Sequence, residues 1–108
     1  MRGNGGLQPT RDVERLTDEL CEALLTPRSR EEMRRLLRDL CTPSELRALA
    51  ERWHVARLLD GSDLSYRDIH EGTGVSTTTI VRVGRFLRQE PYQGYRCAID
   101  SLENADAR

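Results

Sequence analysis

Between Ser65 and Arg88 the chain reads as two short helices joined by a tight turn, and few folds accept such a stretch. Ser65-Tyr66-Arg67-Asp68 opens a short helix. Gly72-Thr73-Gly74 stops that helix, and Ser76 caps a second one that runs to about Gln89. Ile69, Val75, Ile80 and Val83 stand before, in and after the turn. At those spacings they meet only if the two helices cross steeply around Gly74. The segment 65–89 is therefore read as a helix-turn-helix. The residues also admit a plainer arrangement, two packed helices of an ordinary bundle.

The remaining chain repeats the helical pattern, and no strand pattern competes with it. Thr10 is placed to cap a first helix with Val13, Leu16, Leu20, Ala23 and Leu24 on one stripe, and Thr26-Pro27 ends it. Ser29-Arg30-Glu31-Glu32 reads as a capping box, a serine hydroxyl meeting the third amide and an acid reaching back, and opens a second helix that turns Met33, Leu36, Leu37 and Leu40 inward. Thr42-Pro43-Ser44-Glu45 opens a third, with proline at the first helical position and Leu46, Leu49, Trp53 and Ala56 on its apolar face. Asp60-Gly61 ends it, with Gly61 expected in the left-handed conformation. Pro91 begins a sixth helix carrying Tyr95, Ala98, Ile99 and Leu102 inward. The fold class is all-α. Residues 1–9 read as a flexible arm, 10–104 as a single helical domain and 105–108 as a frayed tail.

A chain of 108 residues has room for one modest core. No apolar run is long enough to span a bilayer, and the polar, glycine-rich start lacks the apolar stretch of a signal peptide, which points to the cytoplasm. Cys21, Cys41 and Cys97 are widely spaced, with no CxxC pair, and read as buried structural thiols. His54 and His70 have no Cys or acid at ligand spacing, so no metal is expected. No nucleophile signature appears, and an enzyme is not expected. Trp53 reads as core. Arg34, Arg35 and Arg38 share a helix with Glu31, Glu32 and Asp39, which makes a solvated face with local ion pairs.

Net charge is −1, which argues against strong non-specific attraction to nucleic acid. Its distribution argues otherwise. Every basic residue is arginine, and from Thr73 to Gln89 the only charges are Arg82, Arg85 and Arg88. With Ile80 and Val83 turned inward, Thr77, Thr78, Val81 and Arg85 face outward. Threonine hydroxyls donate or accept at base edges, and their methyls touch a thymine methyl. Free amides at the helix start bind phosphate. Arg67 and Arg85 are placed for phosphates or guanine edges. Double-stranded DNA is the expected partner.

Several segments together resemble the tryptophan repressor superfamily, in particular its YerC/YecD-type branch. They are Leu40-Cys41-Thr42-Pro43-Ser44-Glu45-Leu46-Arg47-Ala48-Leu49, then Arg52, Asp60-Gly61, Ser65-Tyr66-Arg67-Asp68-Ile69, and Thr73 through Val83. The likeness covers roughly residues 16 to 100. It implies a six-helix fold and an intertwined homodimer that presents two reading heads to DNA half-sites roughly 34 Å apart. It implies DNA contacts at Tyr66, Arg67, His70, Thr77, Thr78 and Val81, and a repressor rather than an activator. A histidine at position 70, where the family often has a basic residue, would make binding pH-sensitive. In the tryptophan repressor, residues matching Thr42, Arg52, Thr79 and Arg82 help to hold the amino-acid corepressor. Two departures matter: a small glycine of that pocket is Val83 here, and a serine one turn later is Phe86. Both side chains would take the ligand's volume. L-Tryptophan is thus not expected as effector, and the two arginines are left for another anion or for bracing the head. Two rivals remain from the sequence: a module of this fold that binds protein without specific DNA binding, and a small enzyme holding a carboxylate substrate, which lacks a paired general base.

Overall fold

The computed structural model describes residue 7 and residues 10–106. The expected arm, Leu7 apart, and the last two residues of the expected tail lie outside them. Among the described residues there are six helices and no strand: α1 (Val13–Leu24), α2 (Arg30–Leu40), α3 (Pro43–Gly61), α4 (Tyr66–Thr73), α5 (Thr77–Arg88) and α6 (Gly94–Asp106). No helix among them is long and apolar enough to cross a membrane. The chain divides between Pro43 and Ser44 into two compact units. The reason lies in burial: every residue of the core comes after the division.

In the first unit, α1 and α2 bury nothing completely. Leu16, Leu24, Met33, Leu36 and Leu37 are half-buried, while Val13 is 62% and Leu40 50% exposed. The stripes are helical as expected, but the described residues cover them only in part. The start of α1 is set by Asp12 rather than Thr10, its carboxylate accepting from the Arg15 amide at 3.4 Å. At the other end the Thr26 hydroxyl donates to the Ala23 carbonyl at 2.7 Å. The box at Ser29 is half formed. Its hydroxyl accepts from the Glu32 amide at 3.1 Å, but the Glu32 carboxylate takes the Arg28 amide, one residue earlier, at 2.9 Å.

The second unit holds the core. Val55, Ala56 and Leu59 of α3, Ile69 of α4, Val75 of the turn, Ile80, Val83 and Leu87 of α5, and Ile99 of α6 are buried together. Trp53 and Tyr95 pack at its edge with ring centroids 6.4 Å apart. Gly61 stays helical, so the expected left-handed stop does not occur there. Ser62 ends α3 instead: its hydroxyl donates to the Leu58 carbonyl at 2.6 Å and accepts from the Leu64 amide at 3.3 Å. Pro91 lies in a turn and α6 starts later, at Gly94, because Gln93 takes the left-handed conformation (φ 55°) and its side chain donates back to the Glu90 carbonyl. Helix α6 continues through Asp106, past the expected tail boundary, and of its inward set only Ile99 is fully buried. Cys21 and Cys97 are exposed and Cys41 half-buried, so the thiols are not the core residues expected of them. Cys21 lies on α1 and Cys97 on α6, and Cys41 follows the end of α2.

Ile80 is completely buried at the centre of this core. Ile80→Ala is expected to lower unfolding free energy by about 2–5 kcal/mol, and Ile80→Val by about 0.5–1.5, as read from denaturant melts.

Candidate nucleic-acid interface

Both caps of the two-helix segment form as its residues dictate. The Ser65 hydroxyl accepts from the Asp68 amide at 3.0 Å while the Asp68 carboxylate accepts from the Ser65 amide at 3.2 Å, a complete box. Gly74 ends α4 at φ 79°, a conformation that a side chain would strain, and its amide reaches the His70 carbonyl. Ser76 caps α5, its hydroxyl accepting from the Thr79 amide at 3.2 Å.

The turn between the helices uses up its own polar groups. The Thr73 hydroxyl donates to the Ile69 carbonyl at 2.6 Å and accepts from the Val75 amide at 3.1 Å. Nδ1 of His70 lies 2.8 Å from the Val75 carbonyl, which only accepts, so Nδ1 carries the proton and the ring ties α4 to the far side of the turn. Nothing in the sequence pattern pointed to this bracing. With Ile69, Val75, Ile80 and Val83 all buried, the four residues assigned to hold the motif together do so.

A close approach fixes how α4 meets α5. A Cβ on Gly84 would collide with the Tyr66 hydroxyl, lie 3.0 Å from Tyr66 Cζ, and sit 3.7 Å from Leu59 Cδ1. The Tyr66 ring therefore rests against bare helix backbone, and the residue is only 36% exposed. A glycine inside a regular helix was the available signal, since it weakens the helix without another reason to be there. Three further anchors escaped the sequence reading. Arg88 Nη2 donates to the Leu59 carbonyl near the end of α3 at 3.2 Å. Arg96 of α6 pairs with Asp60 of α3 and, at 3.2 Å, with Asp100. Those hydrogen bonds, Asp60 first, hold its guanidinium pKa above the ordinary arginine value.

On the outer face Thr77, Thr78, Arg82 and Arg85 are exposed, and Val81 is 56% exposed, an unusual position for a valine. Arg67 is exposed and paired with Glu71 at 3.0 Å. Thr79 is half-buried and its hydroxyl accepts from Ser76 at 3.0 Å. The Arg82 guanidinium carbon lies 4.4 Å from the Phe86 ring centroid, and that of Arg85 lies 5.2 Å from it. Phe86 in turn stacks on Tyr92, with centroids 6.3 Å apart and planes 14° apart. Arg52 is half-buried, and among the described residues no hydrogen bond or ion pair joins it to Thr79 or Arg82. Thr42 belongs to the first unit.

The Tyr66–Gly84 contact is open to test by a double-mutant cycle. Gly84→Ala is expected to cost about 1–3 kcal/mol through overpacking, a fall in Tm of several degrees. In a Tyr66→Ala background the same change is expected to be neutral or mildly stabilising, because the helix gains a better former and nothing is struck.

Known proteins share this organisation. Residues 15–103 match the family model of the Trp repressor protein. An uncharacterized protein, YerC of Bacillus subtilis (strain 168), is 37% identical over 89 residues, covering 82% of this chain and 84% of its own. The crystal structure of a TrpR-like protein from Eubacterium eligens superposes with a TM-score of 0.75 at 34% identity, covering 82% of this chain and 90% of that one. With a family match across most of its length, and the six helices to go with it, the chain belongs to the Trp repressor protein family.

Proposed function

We propose that this protein is a sequence-specific DNA-binding regulator, a repressor by family analogy and not an enzyme, that acts in the cytoplasm as a homodimer. The observation that carries the reading is the outer face of α5. It projects from a self-braced turn, it bears Thr77, Thr78, Val81, Arg82 and Arg85, and no acid lies between Thr73 and Gln89. Threonines at the helix start let the backbone approach the major groove, and Val81 offers an apolar surface to a thymine methyl. Arg67 and His70 of α4 flank that face and are assigned to the phosphates. Tyr66 is assigned a backbone contact through its exposed edge. The low net charge suits a protein that discriminates by base contacts, since generic attraction to the polyanion stays weak.

The dimer is supported by the incompletely covered stripes of α1 and α2. Helices with a clear apolar face and no buried residue need a partner surface, and a second copy supplies it symmetrically. Two heads on one dimer would read a near-palindromic site with half-sites roughly 34 Å apart.

Binding of purified protein to a pool of genomic fragments at two salt concentrations tests the reading. Enrichment of a few near-palindromic fragments without added ligand is expected, weakening steeply with salt as counterions are released. Arg67→Ala is expected to weaken all duplexes alike, whereas Thr77→Ala relaxes sequence preference by about 1–3 kcal/mol at one base pair. Equal recovery of all fragments would sink sequence-specific reading, and retention of no fragment at either salt would favour a protein-binding module.

L-Tryptophan is not proposed as the effector. The reading rests on Val83, which is fully buried in the core, and on Phe86, which is half-buried beneath Arg82: both are bulky side chains where a tryptophan pocket needs room. Calorimetric titration is expected to give no heat of binding at micromolar tryptophan; a saturable signal there would reverse this assignment.

A further inference from the structure

Two arginines of α5 share a single aromatic ring. Arg82 and Arg85 are both exposed, and among the described residues neither has an acidic partner. Their guanidinium carbons lie 4.4 and 5.2 Å from the Phe86 centroid, and Phe86 is backed by the near-parallel ring of Tyr92 from the turn before α6. A guanidinium that pairs with a carboxylate spends its N–H donors there. One that stacks on a ring face is held by its plane and keeps the donors at its edge free. Two such groups on one ring repel each other unless an anion lies between or beside them. A phosphate supplies that anion and accepts from both forks.

We propose that Phe86, backed by Tyr92, is a positioning residue that holds Arg82 and Arg85 as a two-arginine clamp for a phosphodiester group of the DNA backbone. The proposal rests on the DNA-binding reading and deepens it. It assigns Arg82 to the backbone rather than to an effector, and it gives Phe86 a task besides filling space. The clamp reads no base, so it sets affinity and register and leaves sequence preference to Thr77, Thr78 and Val81.

The test compares Phe86→Leu with Phe86→Trp in the full-length protein, on an enriched fragment and on a random duplex of equal length. Leucine keeps an apolar side chain and loses the ring face; tryptophan keeps the face. Phe86→Leu is expected to lower affinity about three- to tenfold on both duplexes with their ratio unchanged, and Phe86→Trp to stay within about twofold of wild type. In an Arg82→Ala/Arg85→Ala background Phe86→Leu is expected to add nothing. Thermal melts of the variants check that each is folded. Wild-type affinity in Phe86→Leu, or an equal loss in Phe86→Trp, overturns the clamp. A wild-type protein that binds random duplex as well as any fragment overturns sequence-specific reading alone, and the Phe86→Leu effect on random duplex then still decides the clamp. Absence of binding to any duplex at low salt overturns both, as does tighter binding to single-stranded RNA than to duplex DNA.

Discussion

Everything assigned to this protein hangs on the burial of Ile69, Val75, Ile80 and Val83 around a turn that Gly74 makes without strain. Those side chains clamp α4 and α5 together from inside, and the Thr73 hydroxyl and the His70 ring stitch the turn from outside. A turn whose polar groups are already satisfied has little reason to open. The outer face of α5 is thereby a fixed surface, and hydrogen-bond readout of bases requires fixed donors and acceptors.

The rest of the second unit serves the same end. The long α3 supplies the floor through Val55, Ala56 and Leu59, and its last turn is tied to α5 by Arg88 and to α6 by Arg96. Polar anchors at the rim and an apolar centre together limit how far α5 can rock. The three arginines of α5 thus divide: Arg88 belongs to the framework, and Arg82 and Arg85 stand on Phe86.

How far the sequence was legible depended on whether a feature is local. Caps at Ser65 and Ser76, the stop at Gly74 and the four apolar residues of the motif were readable because helix signals act over three or four residues. The stop at Gly61 was misread because a serine one residue later does the capping with its side chain. The start of α6 was misread because Pro91 suits a turn as well as a helix start, and Gln93 adopts a conformation that its residue type does not advertise. The stripe residues of α1 and α2 were rightly seen as apolar, but periodicity says which face seeks cover and not whether the same chain provides it. At the site, the outward set on α5 was accessible from helix geometry, whereas the sharing of one ring by two arginines, and the bond from His70 to the turn, depend on distances between elements that no spacing encodes.

The contact between Tyr66 and Gly84 carries a consequence for descent. A side chain at position 84 would strike the Tyr66 ring where it now lies, so the ring would have to shift or shrink to admit one. The two positions are eighteen apart in the chain yet constrain each other. Among descendants of this protein, a lineage that acquires alanine or serine at 84 must first, or at once, shrink or swing aside the ring at 66. Glycine at 84 tolerates the ring or its loss, whereas alanine at 84 calls for a smaller or displaced side chain at 66.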